Sequence, residues 1–147
     1  MKTVLITGAN KGIGFESARQ LLQKGYHVFL GSRDLSNGLK AADDLKASGL
    51  TNVEAMQIDV TDADSVSAAR REIGSKVETL DVLINNAGIS GIDIDSEGHM
   101  VPQTALDTDP AVYQKVYDTN VYGPARVTNG SSSRAWKPSS ISLGPSR

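Results

Sequence analysis

Thr7-Gly8-Ala9-Asn10-Lys11-Gly12-Ile13-Gly14 is the stretch that decides how this chain is read. It follows a strand-like apolar run from Thr3 to Ile6. It then opens a helical pattern in which Ala18, Leu21 and Leu22 share one face before Gly25 ends it. Glycines at that spacing let a backbone turn tightly and approach a pyrophosphate held at the helix N-terminus. A glycine-rich turn alone is a weak signal, because glycines also mark ordinary loops. Its position between a strand and a helix is what the mechanism requires.

Working outward, short apolar runs alternate with helix-period stretches, the pattern of βαβ units around a parallel sheet. The predicted strands are Thr3 to Thr7, His27 to Ser32, Val53 to Ile58 and Val82 to Asn85. A second helix is expected from Ser36 to Ala47, with Leu39, Ala42 and Leu45 on its inner face and Asp34 as its N-cap. Asp62 caps a third, lined by Val66, Ala69, Ile73 and Val77. A fourth starts near Asp109-Pro110, proline in its first turn, and carries Val112, Val116 and Val121, remaining periodic to Val127. The polar connection from Ile89 to Thr108 follows a strand's carboxyl end, where ligand-contacting loops sit in such sheets.

Three further strings complete the pattern: Asp59-Val60 after the third strand, Asn85-Asn86-Ala87-Gly88 after the fourth, and Asn120-Val121-Tyr122-Gly123 in the fourth helix. With the glycine turn, whose spacing ends in Gly-Ile-Gly, they resemble the short-chain dehydrogenase/reductase family over about residues 1–127. The resemblance implies a Rossmann-like, doubly wound α/β fold with strand order 3-2-1-4, lacking the C-terminal strands. It also implies reversible hydride transfer between a nicotinamide cofactor and a carbonyl or alcohol carbon of a small-molecule substrate. Gly8 and Gly12 would then bring backbone close to the cofactor's phosphates, Ile13 would supply a backbone contact, Gly14 would let the helix pack against the strand, and Asn10 and Lys11 of the same turn would also contact the cofactor. Asp59 and Val60 would border the adenine, Asn86, Ala87 and Gly88 would flank the cofactor ribose, and Lys115 would lie near the cofactor. Asn120 matches the asparagine of the family's Asn-Ser-Tyr-Lys tetrad, which supports a proton-relay water.

The end of the second strand selects the cofactor. An acidic residue there would bind a ribose 2′-hydroxyl and repel a 2′-phosphate. This chain has Ser32-Arg33 instead, and Asp34 only afterwards. Arg33 can clamp a 2′-phosphate bidentately and Lys11 adds a second positive charge, so NADP(H) is expected over NAD(H).

The catalytic half is not legible. No Tyr-x-x-x-Lys occurs: Tyr113 is followed four positions on by Tyr117, Tyr117 by Val121, and Tyr122 by Arg126. Without the pair that carries the family's proton transfer, two readings stand: an NADP-dependent carbonyl reductase by lineage, and a non-catalytic dinucleotide-binding fragment or pseudoenzyme. From Asn129 the composition turns serine-rich, with no acidic residue and no apolar period. Residues 128–147 are therefore expected to be a disordered tail, as a frame change, retained intron or misjoined gene would produce. A fourth strand without a fifth beside it would leave an edge prone to self-association.

Composition sets the remaining bounds. The chain has 147 residues, 39% hydrophobic and 22% charged, with a net charge of −2 and no cysteine. That is the size of one domain, with no basic footprint for nucleic acid and no membrane-length apolar run. Cytoplasmic residence is the expectation. His27 and His99 have no partners at metal spacing, so no metal is implied.

Overall fold

A computed structural model describes residues 1–92, 96–101 and 108–129. Of the tail expected to be disordered over residues 128–147, Thr128 and Asn129 belong to the last helix, while residues 130–147 and part of the polar connection lie outside the described residues. Four parallel strands, β1 (Thr3–Ile6), β2 (His27–Ser32), β3 (Val53–Gln57) and β4 (Val82–Ile84), pair in the order β3-β2-β1-β4. The helices α1 (Gly12–Gln23), α2 (Leu35–Ala47) and α3 (Ala63–Lys76) connect them in turn. After β4 come α4 (Pro110–Tyr117), a π-helical turn (Asp118–Tyr122) and α5 (Gly123–Asn129).

Strand alternation divides the core between the two faces of the sheet. Val4, Ile6, Val28, Leu30 and Val53 point to one face, where they meet Ala18 and Leu22 of α1 and Ala41, Ala42 and Leu45 of α2. Leu5, Phe29, Met56 and Leu83 point to the other, against Val66, Ala69 and Ile73 of α3 and Val127 of α5. Register follows from this: Leu5 lies beside Phe29 on one side and Leu83 on the other. Among the described residues β4 is a sheet edge, and Val82 and Ile84 are only partly buried.

The helix starts follow their caps. Asp34, Asp62 and Asp109 each accept a backbone N–H from the first turn of α2, α3 and α4. Two expectations fail. Leu39 is exposed, and Gly38 and Ala41 take its inward place. The cause is close packing: a Cβ on Gly38 would stand 3.1 Å from the Ser32 Cβ, so at that point only a small residue fits between α2 and β2. The fourth helix is not continuous either. The π turn interrupts it and leaves Val121 exposed, while Val127 beyond the turn is fully buried.

Candidate dinucleotide-binding site

The strand order reverses between β1 and β4, and in open α/β sheets ligands bind in the crevice at such a switch point. The carboxyl ends of β1 and β4 bring the glycine turn beside Asn85-Asn86-Ala87-Gly88. Thr7 N donates to the Ile84 carbonyl at 3.0 Å, and Ala9 N to the Gly31 carbonyl at 2.8 Å, fastening the turn to both neighbouring strands.

Within the turn the glycines divide their work. Gly8 (φ 63°) makes room for Ala87, whose Cα would stand 2.8 Å from an added Cβ. The close approach expected between Gly8 and a phosphate is thus first an approach to the β4 segment. A Cβ on Gly14 would come within 2.4 Å of Asn86 Nδ2 and 2.7 Å of the Gly8 carbonyl, so its absence lets α1 seat against the turn. Gly12 (φ 59°) meets nothing within 4 Å and faces open space. Beside it, Lys11 at the N-cap of α1 makes no side-chain cap bond, and no acidic residue occupies the first turn. Ile13 is 81% exposed. Open N–H groups, a positive helix end and an uncovered apolar side chain suit a pyrophosphate-bearing ligand.

Asn86 is the hub. Its Nδ2 donates to the carbonyls of Thr7 and Gly8, each at 3.0 Å, and its N–H donates to Thr7 Oγ1 at 3.0 Å. Ala87 N donates to the same hydroxyl at 3.1 Å. Thr7, buried and hydrogen-bonded, belongs to the site's framework although residue type alone did not single it out. Its position at the strand end just before the glycines was the available signal.

A cleft of about 470 Å³ opens beyond β2 and β3, lined by Arg33, Gln57, Asp59, Ser65 and the acidic side chains Asp62, Asp64 and Glu72. Asp59 Oδ1 accepts from Thr61 N at 2.9 Å and Thr61 Oγ1 at 2.7 Å, while its N–H donates to Ser65 Oγ at 2.9 Å. Val60 is buried. Ser32 is buried and donates to the Asp34 carbonyl at 2.7 Å. Asp34 is committed to α2: its Oδ1 accepts from Ser36 N at 2.8 Å and Ser36 Oγ at 2.6 Å. Those bonds from Ser36, with Arg33 nearby, hold its carboxyl below the usual aspartate value. Arg33 is exposed at the mouth of the cleft, with Gln57 Nε2 3.4 Å from its backbone carbonyl.

Asn120 lies in the π turn, an element that often marks functional positions. It clamps the backbone after Gly88: Oδ1 accepts from Ile89 N at 2.9 Å, and Nδ2 donates to the Ile89 carbonyl at 2.8 Å. Gly88 leaves space for that amide, 3.3 Å from where its Cβ would be. Lys115 stands exposed one turn earlier, and among the described residues no hydrogen bond or ion pair joins its side chain to the glycine turn. Tyr122 is exposed, and Arg126 is engaged with Asp118, so the four-residue spacing from Tyr122 to Arg126 forms no pair. Among the described residues no cluster of metal-ligating side chains occurs, and no helix is long and apolar enough to cross a membrane.

Known proteins share this architecture. The family described as short chain dehydrogenase matches residues 2–136. Salutaridine reductase of Papaver bracteatum is 37% identical over 119 residues, which cover 80% of this chain and 38% of that protein. The solved structure of menthone neomenthol reductase from Mentha piperita superimposes with a TM-score of 0.75 at 31% identity, covering 87% of this chain and 54% of that one. ElxO with NADP bound gives 0.74 at 35% identity, covering 87% and 48%. A 3-ketoacyl-(acyl-carrier-protein) reductase from Brucella melitensis complexed with NADH gives 0.73 at 28%, covering 87% and 47%. The chain thus spans about half the length of these relatives, or less.

Proposed function

This chain belongs to the short-chain dehydrogenase/reductase family, and from that premise we propose that it is the NADP(H)-binding half of a carbonyl reductase. One observation carries the cofactor choice. The only acidic residue directly after β2, Asp34, is spent capping α2, which leaves Arg33 as the charge at the end of the strand. A ribose 2′-hydroxyl would find no free carboxylate there, whereas a 2′-phosphate would find a guanidinium able to bind it with two hydrogen bonds. The acidic side chains Asp62, Asp64 and Glu72 line the α3 side of the cleft, so a 2′-phosphate is expected at Arg33.

When bound, the cofactor supplies a hydride to, or accepts one from, a carbonyl or alcohol carbon. This chain's residues bind and orient. Lys11, Gly12 and Ile13 would hold the pyrophosphate at the α1 N-terminus, Asp59 and Val60 would border the adenine, and Asn86, Ala87 and Gly88 would flank the ribose. Asn120 fixes the backbone at Ile89 and supports the proton path.

A second reading rests on its own observation, the absence of Tyr-x-x-x-Lys from all 147 residues. Loss of a general acid commonly lowers rate by about 10²–10⁴-fold. The chain by itself therefore binds cofactor without turning substrate over. Fluorescence titration with NADPH and NADH, followed by NADPH oxidation with a panel of aldehydes and ketones, tests both parts. Tighter binding of NADPH with turnover at background is expected. Equal affinities would overturn the cofactor choice, and robust turnover abolished by Gly12→Asp would overturn the non-catalytic reading.

A further inference from the structure

We infer that Arg126 is a positioning residue for Asn120, holding the π turn in register with the loop that carries Asp59 and Val60. The role rests on the reading of Asn120 given above. Arg126 Nη2 lies 2.5 Å from Asp118 Oδ1, and Nη1 lies 3.4 Å from the Asp118 carbonyl and 3.3 Å from the Val60 carbonyl. Asp118 opens the π turn and Arg126 sits in α5 beyond it. Eight residues of ideal helix rise about 12 Å, and Arg126, its side chain leaning toward the N-terminus, closes the gap to the Asp118 carbonyl and carboxylate. The ion pair therefore brackets the whole irregular segment, with Asn120 inside the bracket.

Two neighbouring contacts define the same register. A Cβ on Gly123 would stand 2.8 Å from Val60 Cγ2, so the helix rests directly on the loop after β3. Arg70 of α3 donates from Nη2 to the carbonyls of Arg126 and Val127 at 2.7 and 2.6 Å, tying down the far end. A π turn holds one residue more than regular helix, and absorbing it would rotate one side against the other by about 100°, one residue's worth. Such a rotation would carry the Asn120 amide away from Ile89, which it now meets with both of its polar atoms. The guanidinium joins Asp118 to Val60 across the joint where the rotation would occur.

The test uses the isotopically labelled 147-residue chain without ligand. The readouts are hydrogen exchange of the Ile89 amide and the side-chain amide resonances of Asn120, assigned by their loss in Asn120→Ala. In Arg126→Ala the Ile89 amide is expected to exchange at least about tenfold faster, since each tenfold step in an opening equilibrium is about 1.4 kcal/mol. The Asn120 resonances should move to the position of solvent-exposed asparagines, while the Leu5 and Phe29 amides stay protected. Arg126→Lys should restore part of both signals, and the exchanged pair Asp118→Arg with Arg126→Asp most of them. Should Arg126→Ala not fold, Arg126→Gln provides the same comparison. Wild-type exchange at Ile89 with unmoved Asn120 resonances, in either folded variant, would overturn the assignment. If NADPH failed to bind the wild-type chain, the cofactor reading would fall while the Arg126 result stood or fell on these signals alone.

Discussion

Thr7 and Asn86 hold each other in both directions: Asn86 donates its backbone N–H to Thr7 Oγ1 and its side-chain Nδ2 to the Thr7 carbonyl, each at 3.0 Å. Seventy-nine residues separate them in the chain. The bonds weld the end of β1, where the glycine turn begins, to the end of β4. Thr7→Val keeps the shape and removes the hydroxyl, leaving the N–H groups of Asn86 and Ala87 without their acceptor. Leaving buried donors unsatisfied costs about 1–3 kcal/mol. Urea denaturation should show a loss in that range, and a midpoint within error of wild type would mean that the hydroxyl is dispensable.

The two positive-φ glycines of the turn should respond differently to alanine. Gly12 faces open space, so Gly12→Ala bears only the left-handed backbone penalty of about 1–2 kcal/mol. Gly8→Ala adds an overlap with the Ala87 backbone, and overpacking typically costs about 1–3 kcal/mol more. Thermal melts should therefore rank wild type above Gly12→Ala above Gly8→Ala. The reverse order of the two variants would contradict the packing described for Gly8.

Much of this arrangement could be read from residue types because its causes are local. The run His27–Ser32 became β2 with the bounds its continuous apolar pattern indicated, and Asp34, Asp62 and Asp109 capped the helices they precede. What stayed hidden depends on contacts between distant segments. Leu39 has the right spacing to face inward, but the closeness of α2 to Ser32 and Ala55 admits only Gly38 and Ala41 there. The π turn leaves no mark in residue type. Around it Arg126 meets Asp118 and Val60, and Thr119 donates back to the Lys115 carbonyl at 3.0 Å. Sequence alone offered Arg126 only as the fourth residue after Tyr122.

Acid should weaken the fold in two steps. Burial, with Lys76 nearby, lowers the His27 value below its ordinary 6.5. Below pH 6.5 the unfolded chain takes up a proton that the folded chain resists, so stability is lost as pH falls from there toward the folded value. Asp81 Oδ2 accepts from Thr3 N at 2.7 Å and lies 3.1 Å from Thr3 Oγ1, and these bonds lower its value below 3.8. Its contribution is present above pH 3.8 and disappears as pH falls through the lower folded value. Melting temperatures followed from pH 7.5 to pH 3 should show both declines. His27→Gln should flatten the upper one and Asp81→Asn the lower one. If both variants kept the wild-type profile, other groups would govern the acid response.

Whether Arg33 reads a 2′-phosphate is decided by titrating wild type and Arg33→Ala with NADPH and NADH in parallel. A charged hydrogen-bonding partner is worth about 1.5–3 kcal/mol, roughly ten- to a hundredfold in affinity. Arg33→Ala is expected to weaken NADPH binding by that factor and to leave NADH binding within about twofold, so that the wild-type preference collapses. An equal loss for both cofactors, or no loss for either, would contradict this role of Arg33.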